Sequence, residues 1–558
     1  MKPQPVAPKP HSEIEIVRLI WLAIFVSVFS FLYYNRQGAV LLYGDAVAHI
    51  NIARRVFDSK TPGLLQLGTV WLPLPHLLIL PFILSKPMWQ SGTGGSIPSM
   101  PAYVLSVLGI FRLVRKMLSR NSQADGAAMY TAWGAAVLYA ANPNIIYMQS
   151  TAMGEALYLA FFIWASVYFA EFAHAANSSR SLTKCGLCLA AACLTRYDGW
   201  FLAASLVLGA LAVCVLRIRQ GNSLSVSRLP PWAAFTKFVL ISAAAPVLWL
   251  AYNAAVYRNP LEFANGPYSA KAIEQKTATV NPAKDNLFAA GSYFVKAAEL
   301  NVGESNWQQR LWIALALLGS IAALFTGRGR AALVLWTPLA FYALSISYES
   351  VPIYLPTWWP FSYYNVRYGL QLLPALVVFA MLGISFLVQK MFDVARVGAS
   401  WRRWTGAATF ASVLLLGAVS YAAIWRADPI CYREAKVNSK GRVALDGQVA
   451  SWIKSLPADS NLLMYLGEHV GAVEQAGIPL SRTINEGNHR VWKQPSDADG
   501  LWERALADPV RYADFVVGFD GDPAWKSAQD QHLRALVEIH TTGQPRAAIF
   551  EGREVMRR

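Results

Sequence analysis

Eleven stretches of mostly apolar residues recur along this 558-residue chain, and they limit its fold more than any other feature. They run Val17–Tyr34, Pro98–Leu118, Ala127–Tyr147, Thr151–Phe172, Leu182–Thr195, Phe201–Leu216, Phe235–Tyr257, Leu311–Phe325, Ala331–Ser347, Gly369–Gln389 and Thr405–Trp425. Most approach the roughly 20 residues that a helix needs to cross ~30 Å of hydrocarbon. With 55% hydrophobic and 15% charged residues, the chain reads as a polytopic α-helical membrane protein.

The net charge of +16 does not point to nucleic acid, because of where the cations fall. They cluster at Arg112–Arg120, at Arg180 with Lys184, at Arg217, Arg219 and Arg228, at Arg328 with Arg330, and from Lys390 to Arg403. These clusters occupy alternate loops, the signature of a cytoplasmic face. A further stretch, Val70–Leu84, would reverse every later cluster if it spanned, and Pro73, Pro75 and Pro81 interrupt it. It therefore reads as a juxtamembrane segment at the outer surface. The expected placement is multi-pass in a bacterial inner (plasma) membrane, N-terminus cytoplasmic and C-terminal domain extracytoplasmic. "YYNRQG" after the first stretch lacks a small-x-small cleavage site, so that stretch reads as an uncleaved anchor. Cys185, Cys188, Cys193 and Cys214 fall in apolar helices and Cys431 stands alone, which implies no disulfide framework.

Two regions follow from this topology. Residues 1–425 form the transmembrane part, with outer loops at about 35–97 and 258–310, the second carrying Lys271, Lys276 and Lys284. Residues 426–558 shift to ordinary soluble composition and read as a small extracytoplasmic α/β domain. "NLLMYLG" (461–467) and "ADFVVGF" (513–519) have the pattern of buried strands, "RVALDGQVASWIKSL" (442–456) that of an amphipathic helix, and "ALVEIH" with "AAIFEG" that of a closing strand pair. The run Leu182–Leu216 would be about 50 Å long as one helix, too long for a single span. "TRYDGW" (195–200) breaks it, which places Arg196 and Asp198 at the outer surface, on the side of Asp45.

Charged residues beside the bilayer need a reason. Gly44-Asp45 opens "AVAHINIARRVF" as an N-cap would, with Ala46, Ile50, Ala53 and Phe57 forming an apolar stripe and Asp45 and His49 sharing another face. Capping and catalysis are compatible at Asp45, and capping alone does not call for His49. Glu155 opens the fourth span about one turn inside its outer end. A carboxylate there either serves a polar site or stabilises the first turn of the helix. Arg54 and Arg55 read as interfacial anchors or phosphate ligands. His76, in "WLPLPHLLIL", reads as a buried histidine. Arg367 and Tyr368 stand in the outer aromatic stretch "WWPFSYYNVRYGL" (358–370), where the arginine either anchors or meets an anionic headgroup. Carboxylates, arginines and two large loops thus converge on one face, where a lipid-linked substrate presents its headgroup. Carboxylates there can take a proton or hold a metal, and arginines can neutralise a phosphate.

With these residues in view, the chain resembles the GT-C superfamily of membrane glycosyltransferases, in particular the group of protein O-mannosyltransferases and lipid A aminoarabinose transferases (glycosyltransferase family 39). The family's acid after the first span matches "GDAVAH" with Asp45, and its Pro-rich juxtamembrane segment matches "WLPLPH" (71–76). Its second acid matches Glu155 in "NPNIIYMQSTAMGEALYLA", and its late "RYxxxxxP" matches "RYGLQLLP" (367–374). The resemblance covers about residues 15–425. His76 stands in "PLPH" where the family has "HPP", so the two histidines are not equated. Glu stands at 155 where Asp is frequent, which leaves metal use open.

The resemblance implies inverting transfer of a sugar from a polyprenyl-phosphate donor to a lipid, glycan or protein acceptor on the outer face. Asp45 would be the general base. Glu155 would position the acceptor or, with Asp45, help hold a divalent cation. His49, Arg54, Arg55, His76, Arg196, Asp198, Lys271, Arg367 and Tyr368 would bind substrate, with Arg367 stabilising the departing phosphate.

A transporter or lipid flippase is the main alternative, but such proteins place ionisable groups near mid-bilayer, often with repeats, which this chain lacks. A membrane-anchored binding protein working through its tail is a third reading. Glu468, His469, Glu486 and His489 would then be metal candidates, although their spacing matches no standard ligand set.

Overall fold

The computed structural model describes residues 10–118, 126–174, 179–219, 231–266, 269, 271–272, 281–327, 329–348, 352–395, 404–488 and 499–552. The apolar stretches are helical, as they must be where only intrasegment bonds can satisfy the backbone. Among the described residues nine helices are long and apolar enough to cross a membrane, and the chain is a multi-pass membrane protein. The helices Gly126–Ala140 and Ser179–Cys193, within two of the eleven expected spans, have 15 described residues each and are not among the nine. Val70–Leu84 holds one helix, Pro73–Ile79, whose 7 residues are too few to span. The long run after Leu182 breaks between Cys193 and Asp198, at the expected turn.

Burial separates a central helix from peripheral ones. The apolar window of Val366–Val394 is 89% buried, whereas that of Glu13–Arg36 is 17% buried and presents its apolar side chains outward. The helices Asn306–Thr326 and Leu373–Val394 approach closely through glycines. A Cβ on Gly319 would stand 1.8 Å from the Phe379 carbonyl oxygen, and one on Gly383 would stand 2.3 Å from that of Leu315. Only a residue without a side chain allows that backbone contact.

In the tail the helix Ile430–Ser455 begins well before the expected Arg442. Five strands follow: β1 (Leu462–Met464), β2 (Thr483–Ile484), β3 (Phe515–Phe519), β4 (Ala535–Ile539) and β5 (Ala547–Glu551). Their order is β2-β1-β3-β5-β4, with β1 parallel to β2 and β3, and β5 antiparallel to β3 and β4. The two-residue side-chain period sorts the sheet into two faces. Leu462, Met464, Phe515, Val517 and Ile549 join the core shared with the helix Ile430–Ser455 and the membrane part. Leu463, Val516, Ala548 and Phe550 pack instead on Trp502, Trp525 and Ala528.

The tail also docks on the first loop through polar contacts. Asp58 Oδ1 accepts from the Ser481 N–H at 3.0 Å, Gln66 Nε2 donates to the Gly487 carbonyl at 2.9 Å, and Asn488 Nδ2 donates to Thr61 Oγ1 at 2.9 Å.

Candidate active site

The helix Gly44–Arg55 starts just after Tyr43, which occupies the N-cap position without a side-chain cap. Asp45 is therefore not the N-cap that the sequence led us to expect. It lies inside the first turn, and its Oδ2 instead pairs with Arg367 Nη2. Of the expected apolar stripe, Ala46, Ile50 and Ala53 are fully buried, whereas Phe57 lies beyond the helix end and is half-buried.

Arg367 enters on the short 3₁₀ turn Val366–Leu372, which opens at Asn365 with a φ of 57°. The Asn365 side chain tolerates that left-handed conformation, and its Nδ2 donates to the Pro352 carbonyl at 3.0 Å. Gly369 lets the turn press on the backbone of Ala297, where a Cβ would meet the carbonyl carbon at 2.4 Å.

The guanidinium of Arg367 reaches three carboxylates. Its Nε donates to Glu155 Oε1 at 3.2 Å, its Nη1 to Glu434 Oε1 at 3.4 Å, and its Nη2 to Asp45. Arg196 continues the network, with Nη1 on Glu155 Oε1 at 3.2 Å, Nε on Asp198 Oδ1 at 3.2 Å, and Nη2 on the Tyr342 oxygen at 3.1 Å. The Tyr342 hydroxyl in turn donates to Asp198 Oδ2 at 3.1 Å. The Tyr368 ring lies 4.9 Å from the Arg196 guanidinium and 5.0 Å from that of Arg367.

Exposure divides the members of this cluster. The side chains of Glu155 and Glu434 are 1% exposed and that of Arg367 7%, whereas that of Asp45 is 35% exposed. Asp45 is the carboxylate on Arg367 that an incoming molecule can touch. Arginine has five N–H donors. Arg367 commits three of them to carboxylates, and two N–H groups remain outside those bonds.

The structure thus brings together Asp45, Glu155, Arg196, Asp198, Arg367 and Tyr368. His49 lies beneath them, buried, with Nδ1 2.9 Å from His76 Nε2 and its ring edge-on to Trp71. Burial pushes the His49 imidazole below its usual value despite Asp45 and Glu155 nearby, and holds His76 well below its own.

Other predicted residues lie elsewhere. Arg54 pairs with Asp58 at 2.9 Å, donates to the Ile83 carbonyl at 2.6 Å and covers Phe57 and Trp89. Half-buried Arg55 faces Glu486 at 3.8 Å, on the docked tail. Lys271 is exposed and forms no ion pair with a described residue.

The described tail residues read as metal candidates form no metal-holding group. His469 stacks on Phe519 and pairs with Asp446 at 3.3 Å, Glu486 accepts from the Leu466 N–H at 2.9 Å, and Glu468 is exposed. His489 and Lys276 lie outside the described residues.

No three His, Cys, Asp or Glu side chains among the described residues form a group able to hold a metal. Between Asp45 and Glu155 the Arg367 guanidinium already supplies the positive charge. As arranged here, the two carboxylates therefore do not fit a divalent cation.

Sequence reasoning missed Glu434, Tyr43 and Tyr342. Tyr43 stacks under Arg367 at 4.9 Å, and its position directly before Gly44-Asp45 was the one available hint. Tyr342 sits in an apolar span with no charge beside it to draw notice.

No family model and no curated protein matches the sequence. Among solved structures, the fold is similar to that of ArnT from Cupriavidus metallidurans in the apo state. There the identity is 15% and the TM-score 0.53, over 94% of this chain and 97% of that one. The same protein bound to undecaprenyl phosphate matches at 15% identity and a TM-score of 0.51, over 98% and 99% of the two chains. These likenesses show the fold: over nearly its whole length the chain shares the architecture of these ArnT structures, and a small α/β region follows its membrane helices.

Proposed function

We propose that this protein is an inverting glycosyltransferase. It would move a sugar from a polyprenyl-phosphate donor to a lipid, glycan or protein acceptor at the outer face of a bacterial plasma membrane. The observation that carries this reading is the Arg367 cluster: three carboxylates on one guanidinium at the helix ends, of which Asp45 is the accessible one. The fold shared with an ArnT structure that holds undecaprenyl phosphate supports the donor class.

In this reading Asp45 takes the proton of the acceptor's attacking group as that group bonds to the anomeric carbon. The bond from that carbon to the phosphate oxygen breaks, and its electron pair leaves with the polyprenyl phosphate. One displacement inverts the anomeric centre. The two uncommitted N–H groups of Arg367 meet the charge developing on the departing phosphate. Glu155 holds Arg367 and Arg196 at a fixed separation. His49, buried against His76, supports the floor of the site rather than touching substrate.

The alternating cationic loops support a cytoplasmic N-terminus and an extracytoplasmic tail. A periplasmic reporter fused after Gly552 should be active, and activity of a cytoplasmic reporter there would reverse the orientation. A transporter has less support, because Glu155, Asp198 and Arg367 all occupy first turns of helices rather than mid-span positions. The direct test is incubation of purified protein with radiolabelled polyprenyl-phosphate sugars and membrane extract. Label should move to a lipid, glycan or protein, and no movement with any donor would reject the reading.

A further inference from the structure

We propose that Glu434, in the first turns of the tail helix Ile430–Ser455, is a positioning residue for Arg367, so that the tail supplies part of the reaction centre. This inference rests on the transferase reading above. Glu434 is fully buried and grips Arg367 at two points. Its Oε2 accepts from the Arg367 backbone N–H at 3.2 Å, and its Oε1 accepts from Nη1 of the same residue at 3.4 Å. One carboxylate thus fixes both ends of the arginine side chain.

The same carboxylate reaches the start of the Asp45 helix. The Tyr43 hydroxyl lies 3.1 Å from Glu434 Oε2 and 2.8 Å from the Cys431 carbonyl oxygen, and shares its single proton between them. Asp45 is two residues further on. Glu434 therefore sets the distance between the accessible carboxylate and the cation beside it.

The helix start that carries Glu434 is seated in the membrane part from several directions. Asn144 Oδ1 accepts from the Cys431 N–H at 3.0 Å, the Cys431 thiol donates to Asn301 Oδ1 at 3.3 Å, and Arg433 pairs with Glu304 at 2.7 Å. Those contacts already dock the helix. A buried carboxylate adds a desolvation cost that an apolar side chain of similar size would avoid. What Glu434 adds beyond docking is its hold on Arg367.

The test compares Glu434→Gln and Glu434→Asp with Arg433→Ala, a control that loosens the same helix without touching Arg367. Steady-state transfer from a polyprenyl-phosphate sugar and thermal melting are measured on each purified protein. A guanidinium displaced from the departing phosphate loses transition-state stabilisation. Glu434→Gln should therefore lower kcat about tenfold to a hundredfold, with the donor KM changed less than about threefold. Glu434→Asp keeps the charge and should recover part of that loss, and it decides the matter if the Gln variant does not fold. Arg433→Ala should keep its kcat even if it melts earlier.

Wild-type kcat in both Glu434 variants, a loss confined to melting, or an equal kcat loss in Arg433→Ala would overturn the inference. A wild type that transfers no sugar would reject the transferase reading itself, and this inference with it.

Discussion

Asn51 Nδ2 donates to Glu474 Oε2 at 2.9 Å, which ties the helix that carries Asp45 to the tail helix Val470–Ala476. The Trp89 indole N–H donates to the other side of the same amide at 3.0 Å, and Gln90 Nε2 donates to the Glu474 carbonyl at 3.0 Å. Burial pushes the Glu474 carboxyl up to about 8, against the lowering effects of Asn51 and Arg442 and with the raising effect of Asp446.

That elevation predicts a pH-dependent dock. A group whose folded value is raised above the unfolded one stabilises the fold fully at low pH and loses that contribution as pH rises to the folded value. The Glu474 contribution should therefore fall from about pH 4.5 to about pH 8. Glu474→Gln keeps a neutral partner for Asn51 and should remove this slope. Melting temperature against pH for the two proteins is the measurement, and parallel curves would contradict the prediction.

The buried imidazole pair acts in the opposite direction. His49 and His76 are both held below their usual value by burial, so the unfolded chain binds protons more readily than the folded one. Their contribution is present above about pH 6.5 and is lost as pH falls. His76→Leu would leave His49 Nδ1 without its partner, at a cost of about 1–3 kcal/mol. The variant should melt earlier at pH 7.5 and lose less than wild type between pH 7 and pH 5. An unchanged melting temperature at pH 7.5 would show that the pair contributes nothing to the fold.

Glu155 has a double role in the network, and its variant separates the two. Its Oε1 holds Arg196 and Arg367, while its Oε2 is buried without a partner among the described residues. Removing one member of a buried ion network typically costs about 3–5 kcal/mol. Glu155→Gln retains hydrogen bonding but not the charge, so both melting temperature and transfer per folded molecule should fall. Full transfer activity would remove Glu155 from the reaction centre.

How much of this was readable beforehand depended on contrast with surroundings. Glu155, Arg196, Asp198 and Arg367 stand out because each charge interrupts an apolar stretch, and the bilayer makes an unexplained charge costly. The turn at 195–200 was legible for a related reason, since one helix across Leu182–Leu216 would overrun the membrane. Glu434 had no such contrast. "CYREAKVNSKG" (431–441) reads as ordinary solvent-facing sequence, and only the long-range docking of its helix buries that glutamate. Arg54 and Asp58, four residues apart on one helical turn, already fit an internal ion pair. Two adjacent arginines on the helix that carries Asp45 were the misleading signal.

The proposal as a whole is tested most directly at Asp45. No cap bond depends on its side chain, and an asparagine there could still accept from Arg367. Asp45→Asn should therefore fold and melt like wild type. Its amide cannot take the acceptor's proton, however, and general-base catalysis is worth about 10²–10⁴-fold in rate. The measurement is sugar transfer per folded molecule, wild type beside Asp45→Asn, from a radiolabelled polyprenyl-phosphate donor. The account predicts active wild type and a variant at least about a hundredfold slower. An Asp45→Asn protein that transfers sugar at the wild-type rate would contradict it.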